Sequence, residues 1–207
     1  VSPYLTKEPT FPRHQVSLET SRPTRERRND LDEDLSIIQR VLSGEKDLFG
    51  SLVTRHQDRV YRVCLGVLGD PQEAQEASQD AFVRAYKALA SFRGDSAFST
   101  WLTRIAINAS RTRLRHLRLR SFFSLDALRE KGSFAEPVAP PDNPLSGAQA
   151  LLSALPASDR EILLLKEVEG LDYVEISKVL GVSVEGVRGR LKRARARLRH
   201  ETTGTGV

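Results

Sequence analysis

Two stretches of this chain concentrate cations at helical spacing, and both point to the chemistry of binding a polyanion. Residues 104–120 hold six arginines (Arg104, Arg111, Arg113, Arg115, Arg118 and Arg120) and no acid. Residues 184–200 hold seven cations (Arg188, Arg190, Lys192, Arg193, Arg195, Arg197 and Arg199) against Glu185 alone. Each segment carries a net +6, so with a total of +5 the remainder of the chain carries −7. Two local cationic faces on a mildly acidic body imply two separate polyanion sites, whereas a uniformly basic surface would imply non-specific coating.

The first face has an aromatic neighbour. Arg104, Asn108, Arg111 and Arg115 step by 4, 3 and 4 along one side of a helix, while Phe98, Trp101, Leu102, Ile105 and Ala109 fall on the other. Immediately upstream, Phe92-Arg93-Gly94-Asp95-Ser96-Ala97 reads as a loop. A base taken out of its stack needs a platform or pocket, donors for its edge and cations for its backbone, and this segment carries all three. Phe92, Phe98 and Trp101 have a second reading as core aromatics, the usual role of rings at helical spacing.

The second face sits on a helix-turn-helix pattern. Ser158 and Glu161 read as a capping box opening a helix to about Val168, which Gly170 ends. Asp172 and Glu175 repeat the box before a short helix, Tyr173 to Leu180, and Gly181 stands where a left-handed C-cap is wanted. Ser183 then caps a last helix from Val184 to about Arg199. Val184, Val187, Leu191, Ala194 and Leu198 make its apolar stripe, and Arg188, Lys192, Arg195 and Arg199 line another face. Such a helix enters the major groove, with Arg188 placed to bond guanine O6 and N7 and Arg193, Arg195 and Arg197 suited to phosphates. A merely solvated helix face would mix its signs.

The elements that must position these residues predict an all-α fold: two small helical domains joined by a flexible linker. Residues 1–30 are polar and aperiodic and read as a disordered tail. Residues 31–118 form the first domain. A helix capped by Asp32 or Asp34 runs to Leu42, and Gly44 turns the chain. A second helix, about Lys46 to Leu68, turns Phe49, Leu52, Val53, Val60, Val63, Cys64 and Val67 inward. After Gly69-Asp70-Pro71, a third, about Gln72 to Ala90, buries Ala74, Ala77, Ala81, Phe82 and Ala85. Its acidic beginning (Glu73, Glu76, Asp80) suits the helix dipole, and equally a docked partner. Ser96 or Ser99 caps the arginine-bearing helix. Residues 119–147, with Pro137, Pro140, Pro141 and Pro144, read as the linker, residues 148–200 as the second domain and residues 201–207 as a tail.

Composition narrows the classes further. With 39% hydrophobic and 29% charged residues, most of the chain should fold in water. No run approaches the roughly 18 apolar residues of a membrane span, and residues 1–30 lack a signal-peptide pattern. Cys64 is the single cysteine, on an apolar face where a thiol packs. His14, His56, His116 and His200 are scattered, and no Gly-rich phosphate loop precedes a helix. The expectation is a cytoplasmic protein with no metal, no cofactor and no catalytic residues, hence not an enzyme.

The segment Ala88 to Asn108 resembles conserved region 2 of bacterial RNA polymerase sigma factors of the extracytoplasmic-function class. Gly170 to Ser177, followed by Val187 to Arg195, resembles region 4 of the same class, close to the sigma-E type. The resemblance spans about residues 34–118 and 146–200. It implies a protein that binds core RNA polymerase and directs it to promoters. Region 2 would dock on the polymerase through the helix carrying Glu76, Gln79 and Asp80. It would melt the −10 element and hold a flipped base at Phe92, the Gly94–Ala97 loop and Asn108, with Arg93, Arg104, Arg111 and Arg115 beside them. Region 4 would read the −35 element through Val184, Glu185, Arg188, Gly189, Lys192, Arg193 and Arg195. The linker would thread the polymerase cleft. An anti-sigma factor, often membrane-anchored, would hold the protein inactive until a stress signal arrives. Where the class commonly reads Gly-Thr-Val-Arg-Ser-Arg, this chain has Glu185-Gly186-Val187-Arg188-Gly189-Arg190. That places an acid near the DNA and removes a hydroxyl donor.

Other classes account for less. A stand-alone helix-turn-helix regulator leaves the arginine stripe at residues 104–115 without a purpose. A single-strand or RNA-binding module, favoured by Phe92, Trp101 and Arg111, leaves the helix-turn-helix without one.

Overall fold

The computed structural model describes residues 24–130 and 154–204, with side chains over residues 31–120 and 154–201. Among them every regular element is helical. In chain order these are α1 (Thr24–Leu42), α2 (Phe49–Leu68), α3 (Pro71–Ala88), α4 (Phe98–Glu130), α5 (Ala157–Leu163), α6 (Tyr173–Leu180) and α7 (Val184–Gly204), with short 3-10 turns at Lys46–Leu48 and Leu89–Ser91. No helix among the described residues is long and apolar enough to cross a membrane.

The boundaries follow local chemistry. Gly69 ends α2 in a left-handed conformation (φ +77), and Asp70 then caps α3, accepting from the Glu73 amide at 2.8 Å with Pro71 at the first helical position. Asp172 and Glu175 form the reciprocal capping box at α6, which Gly181 closes with φ +68. Ser183 accepts from the Gly186 amide at 3.1 Å, opening α7.

α1 to α4 form the N-terminal bundle. Leu52, Val60, Val63, Cys64 and Val67 of α2 face Ala74, Ala77, Ala81 and Ala85 of α3, and Phe98, Leu102, Ala106, Ile107 and Ala109 of α4 close the core. The alanines on α3 let its axis come close to its neighbours. Phe49 and Val53 are only partly buried. Cys64 is fully buried, as its apolar surroundings predicted, and burial pushes its thiol up, with hydrogen bonds to Ser110 and Ser78 pulling the other way. α5 to α7 form the C-terminal unit around Ile162, Leu165, Ile176, Val179, Val187, Leu191 and Ala194.

Five expectations need correction. α1 begins at Thr24, so residues 24–30 are helical and Asp34 lies inside the helix. Its carboxylate caps nothing; it meets His56 Nε2 at 2.9 Å and Arg55 Nε at 3.4 Å. α4 runs twelve residues past position 118, to Glu130, because residues 119–130 contain neither Gly nor Pro to stop it. Neither Ser96 nor Ser99 caps α4: the Thr100 and Trp101 amides bond the Ala97 carbonyl, while the Ser96 hydroxyl donates to that same carbonyl. Pro156 holds the N-cap position of α5 with no side-chain bond, so Ser158 and Glu161 form no capping box. The helix then widens into a π-helical turn, Leu164–Val168, before Gly170. α7 continues through Gly204, beyond the expected end near Arg199. Residues 1–23, the proline cluster at 137–144 and residues 205–207 lie outside the described residues.

Substituting Asp172 with Ala removes the cap that orients α6, and should cost about 1 kcal/mol of unfolding free energy. Urea denaturation measures it; an unchanged midpoint would show that the cap contributes nothing.

Candidate nucleic-acid interface

A four-ring aromatic cluster fixes the loop before α4. The Phe92 ring lies edge-on to Phe98 (centroids 5.7 Å, 83°) and tilted against Trp101 (5.3 Å), and His56 meets Phe98 at 5.4 Å. Phe98 is fully buried and is core; Phe92 and Trp101 are partly buried and packed against it. The core reading thus applies to Phe98, while Phe92 and Trp101 are only partly within the core. Gly94 sits at φ +75, a conformation that turns the loop sharply and disfavours any side chain.

Beside the rings lies a cavity of about 390 Å³, walled by Phe92, Arg93, Asp95, Ser96, Trp101 and Arg104, and on its far side by Lys178 and Val179 of α6. The volume exceeds what a single nucleobase needs. Its walls offer two aromatic faces, a carboxylate, a hydroxyl and cations. Gly94 and Ala97 complete the loop without lining it.

The structure separates the members of the arginine stripe. Arg104, Asn108 and Arg115 are exposed along α4. Arg111 is instead held by Glu161 of α5 in a two-pronged pair at 2.9 and 2.7 Å, which pushes its guanidinium pKa up. Arg113 reaches the opposite way, to Glu73 and to Glu76 (2.5 Å) on α3. Of the acidic positions on α3, Glu76 is thus tied to Arg113 and Asp80 to Arg84 (2.7 Å), while Gln79 is exposed. Sequence reasoning missed Val83 and Tyr86, large apolar side chains half exposed on the same helix. Their spacing from Gln79 (4 and 7 residues) was the available signal.

α7 presents the second face. Val187, Leu191 and Ala194 are buried against α5 and α6, which leaves Arg188, Lys192, Arg193 and Arg195 exposed as the spacing predicted. Val184 is half-buried and Glu185 exposed at the helix start. Glu185 takes Arg188 at 2.8 Å, and the Arg188 guanidinium also lies 5.9 Å from the Tyr173 ring. Arg195 pairs with Glu167 at 2.6 Å, and Arg197 with Asp159 at 2.5 Å. A Cβ at Gly189 would meet Arg193 Nη1 at 3.5 Å, ordinary contact, so its surroundings leave room for a small side chain.

Residues 52–120 match Sigma-70 region 2, and residues 147–198 match Sigma-70, region 4. The chain is 36% identical over 176 residues to the RNA polymerase sigma-H factor of Pseudomonas aeruginosa, covering 79% of this chain and 91% of that one. It is 31% identical over 175 residues to the ECF RNA polymerase sigma factor SigW of Bacillus subtilis (79% and 94% covered) and 34% identical over 173 residues to the ECF RNA polymerase sigma-E factor of Escherichia coli K12 (78% and 90%). The chain belongs to the extracytoplasmic-function class of RNA polymerase sigma factors. As such it is a DNA-binding transcription-initiation factor, built from a region 2 bundle and a region 4 helix-turn-helix. Its fold resembles that of CnrH in complex with the cytosolic domain of CnrY (TM-score 0.61, 28% identity, 81% of this chain and 96% of that one). It also resembles RpoE in complex with the anti-sigma factor NepR from Bartonella quintana (TM-score 0.59, 23% identity, 75% and 96% covered).

Trp101 is the single tryptophan of this sigma factor, and Phe92 leans on it. Substituting Phe92 with Ala should shift Trp101 fluorescence to longer wavelength while helical circular dichroism stays constant. Unchanged emission would contradict the ring packing.

Proposed function

We propose that this sigma factor reads its promoter with two chemically distinct surfaces, a strand-capturing one on α4 and its loop and a duplex-reading one on α7. The observation that carries this reading is the cavity lined by Phe92, Trp101 and Arg104, on a helix that also exposes Asn108 and Arg115, in the same chain as an outward cationic helix of region 4. The α4 site suits an unstacked base of the −10 element: rings for its face, Asn108, Ser96 and Asp95 for its edge, and Arg93, Arg104, Arg111 and Arg115 for the strand. The α7 site suits the major groove of the −35 element. Arg188 and Lys192 would face base edges from the N-terminal half of the helix; Arg193 and Arg195 would meet phosphates. Val184, Glu185 and Gly189 set how closely the helix start approaches. Glu185 and Tyr173 hold Arg188 in advance of contact, which limits the side-chain freedom lost on binding.

Glu76, Gln79 and Asp80, with Val83 and Tyr86 alongside, offer core polymerase a face that is acidic at one end and apolar at the other. These roles are positional, and we assign the chain no reaction of its own. Acting with polymerase on promoters places it in the cytoplasm. The relative CnrH was captured with the cytosolic domain of CnrY. By that likeness an inhibitory anti-sigma partner with a part beyond the cytosol fits this chain too, under release by a stress signal.

Run-off transcription with purified core polymerase over a promoter library tests the reading. Core-dependent transcripts sharing two spaced elements are expected. Tight sequence-specific duplex binding by the free protein, with no transcript, would favour a stand-alone regulator.

On the promoter so found, Asn108→Ala should impair strand opening, read by permanganate reactivity, while leaving core polymerase affinity intact. Unaltered opening would remove Asn108 from the site. Arg188→Ala should cost about 1–3 kcal/mol at one −35 base pair and relax preference there. An equal loss on all sequences would make it a phosphate contact.

A further inference from the structure

The first turn of α7 carries an acid on an otherwise cationic face. Over residues 184–200 Glu185 stands alone among seven cations, and it is exposed. Its Oε1 accepts from Arg188 Nη1 at 2.8 Å. That bond uses one carboxylate oxygen and one guanidinium nitrogen. The second oxygen, and Nε and Nη2 of Arg188, have no hydrogen-bond partner among the described residues. The pair is also anchored to the rest of the C-terminal unit. The Arg188 guanidinium lies 5.9 Å from the Tyr173 ring, and Lys166 Nζ lies 5.2 Å from the same ring while donating to the Leu171 carbonyl at 3.1 Å. Glu185, Gly189 and Lys192 step by 4 and 3, one line along the helix with Arg188 beside it. Gly189 brings no side chain to that line, so the backbone there can come close to a groove.

An acid on a DNA-reading helix is costly unless it finds a donor, because the phosphates flanking the groove repel it. The major groove offers a carboxylate two donors, the N4 amino group of cytosine and the N6 amino group of adenine. The guanidinium beside Glu185 decides between them. A G·C pair shows the acceptors N7 and O6 of guanine and then the donor N4 of cytosine, whereas an A·T pair shows acceptor, donor, acceptor. Joined as they are, Arg188 and Glu185 present donor, donor, acceptor. That pattern complements G·C. Against A·T it sets a guanidinium N–H against adenine N6 and a carboxylate oxygen against thymine O4. The two residues are one helical turn apart, so their order is fixed and the reversed C·G pair is refused as well.

We propose that Glu185 and Arg188 act as one unit that reads a single G·C pair of the −35 element, Arg188 on guanine O6 and N7 and Glu185 on cytosine N4, with Tyr173 holding the unit in place before contact. Glu185 is then a specificity-determining residue: it attracts cytosine and repels thymine at one position of the duplex. The Arg188 guanidinium has donors enough for both tasks, since the bond to Glu185 leaves Nε and Nη2 for guanine. The inference rests on the promoter reading above and names the base pair that the α7 face selects.

The test uses the full chain with core polymerase on the promoter found with the library, with a modified base placed at each G·C pair of the −35 element in turn. N4-methylcytosine keeps its pairing with guanine but replaces the groove-side N–H by a methyl group; 7-deazaguanine removes N7 alone. At one pair, N4-methylcytosine should lower the parent's promoter affinity about tenfold. Glu185→Ala should be indifferent to it there, yet still lose affinity to 7-deazaguanine at the same pair. Arg188→Ala should be indifferent to 7-deazaguanine. Both side chains are more than half exposed, so the variants should keep the helical circular dichroism of the parent. A parent indifferent to N4-methylcytosine at every pair, or a Glu185→Ala variant as sensitive as the parent, would overturn the assignment and leave the promoter reading intact. Sensitivity to the two modifications at different pairs would overturn the single-pair claim. No core-dependent binding to any promoter would instead refute the promoter reading, and this inference with it.

Discussion

Carboxylates removed from water need cations, and Glu161 and Glu169 organise this molecule by that requirement. An unpaired buried carboxylate costs several kcal/mol, while a well-bonded pair roughly breaks even against its desolvation. The seam between the two units therefore gains little net stability from its ion pairs, but it gains a defined register: Arg111 and the Arg59/Arg62 pair fix where region 4 sits. Leu164 over Gly66 supplies the apolar contact between them. The buried apolar residues of the two units form one continuous cluster, so the seam is apolar as well as ionic.

α4 is the element on which the competing demands converge. Its apolar side completes the core of region 2, Arg113 braces α3, Arg111 holds region 4, and Arg104, Asn108 and Arg115 remain exposed. A single helix thus ties the proposed polymerase-docking face, the proposed strand-capturing face and the interdomain seam together. α7 stands apart from this arrangement: its ion pairs to Glu167 and Asp159 stay within the C-terminal unit, and its outward face is open.

What the sequence made legible was local. The bounds of α6 fell at Tyr173 and Leu180 because each of its signals (Asp172, Glu175 and Gly181) lies within the helix or one residue of it. The alanine face of α3 and the apolar stripe of α7 follow from spacing alone. The expectations that failed depended on distant partners or on missing stop signals. Glu161 has the spacing of a capping box, yet its carboxylate goes to an arginine 50 residues away. Asp34 has the composition of a helix start, yet it meets His56 22 residues on. The seam could not be read at all, since Arg62 and Glu169 are 107 residues apart and each looks like an ordinary surface charge. Of the candidate strand site, the residue types were legible and the division of labour among the arginines was not.

The central claim is that one chain carries two separate DNA readers of different kind. Site-specific photocrosslinking from positions 93 and 192 in a polymerase–promoter complex tests it most directly. Position 192 should label double-stranded DNA at the −35 element, and position 93 should label a single strand at the −10 element, about 85 Å downstream. Labelling of one and the same duplex segment from both positions would contradict the account.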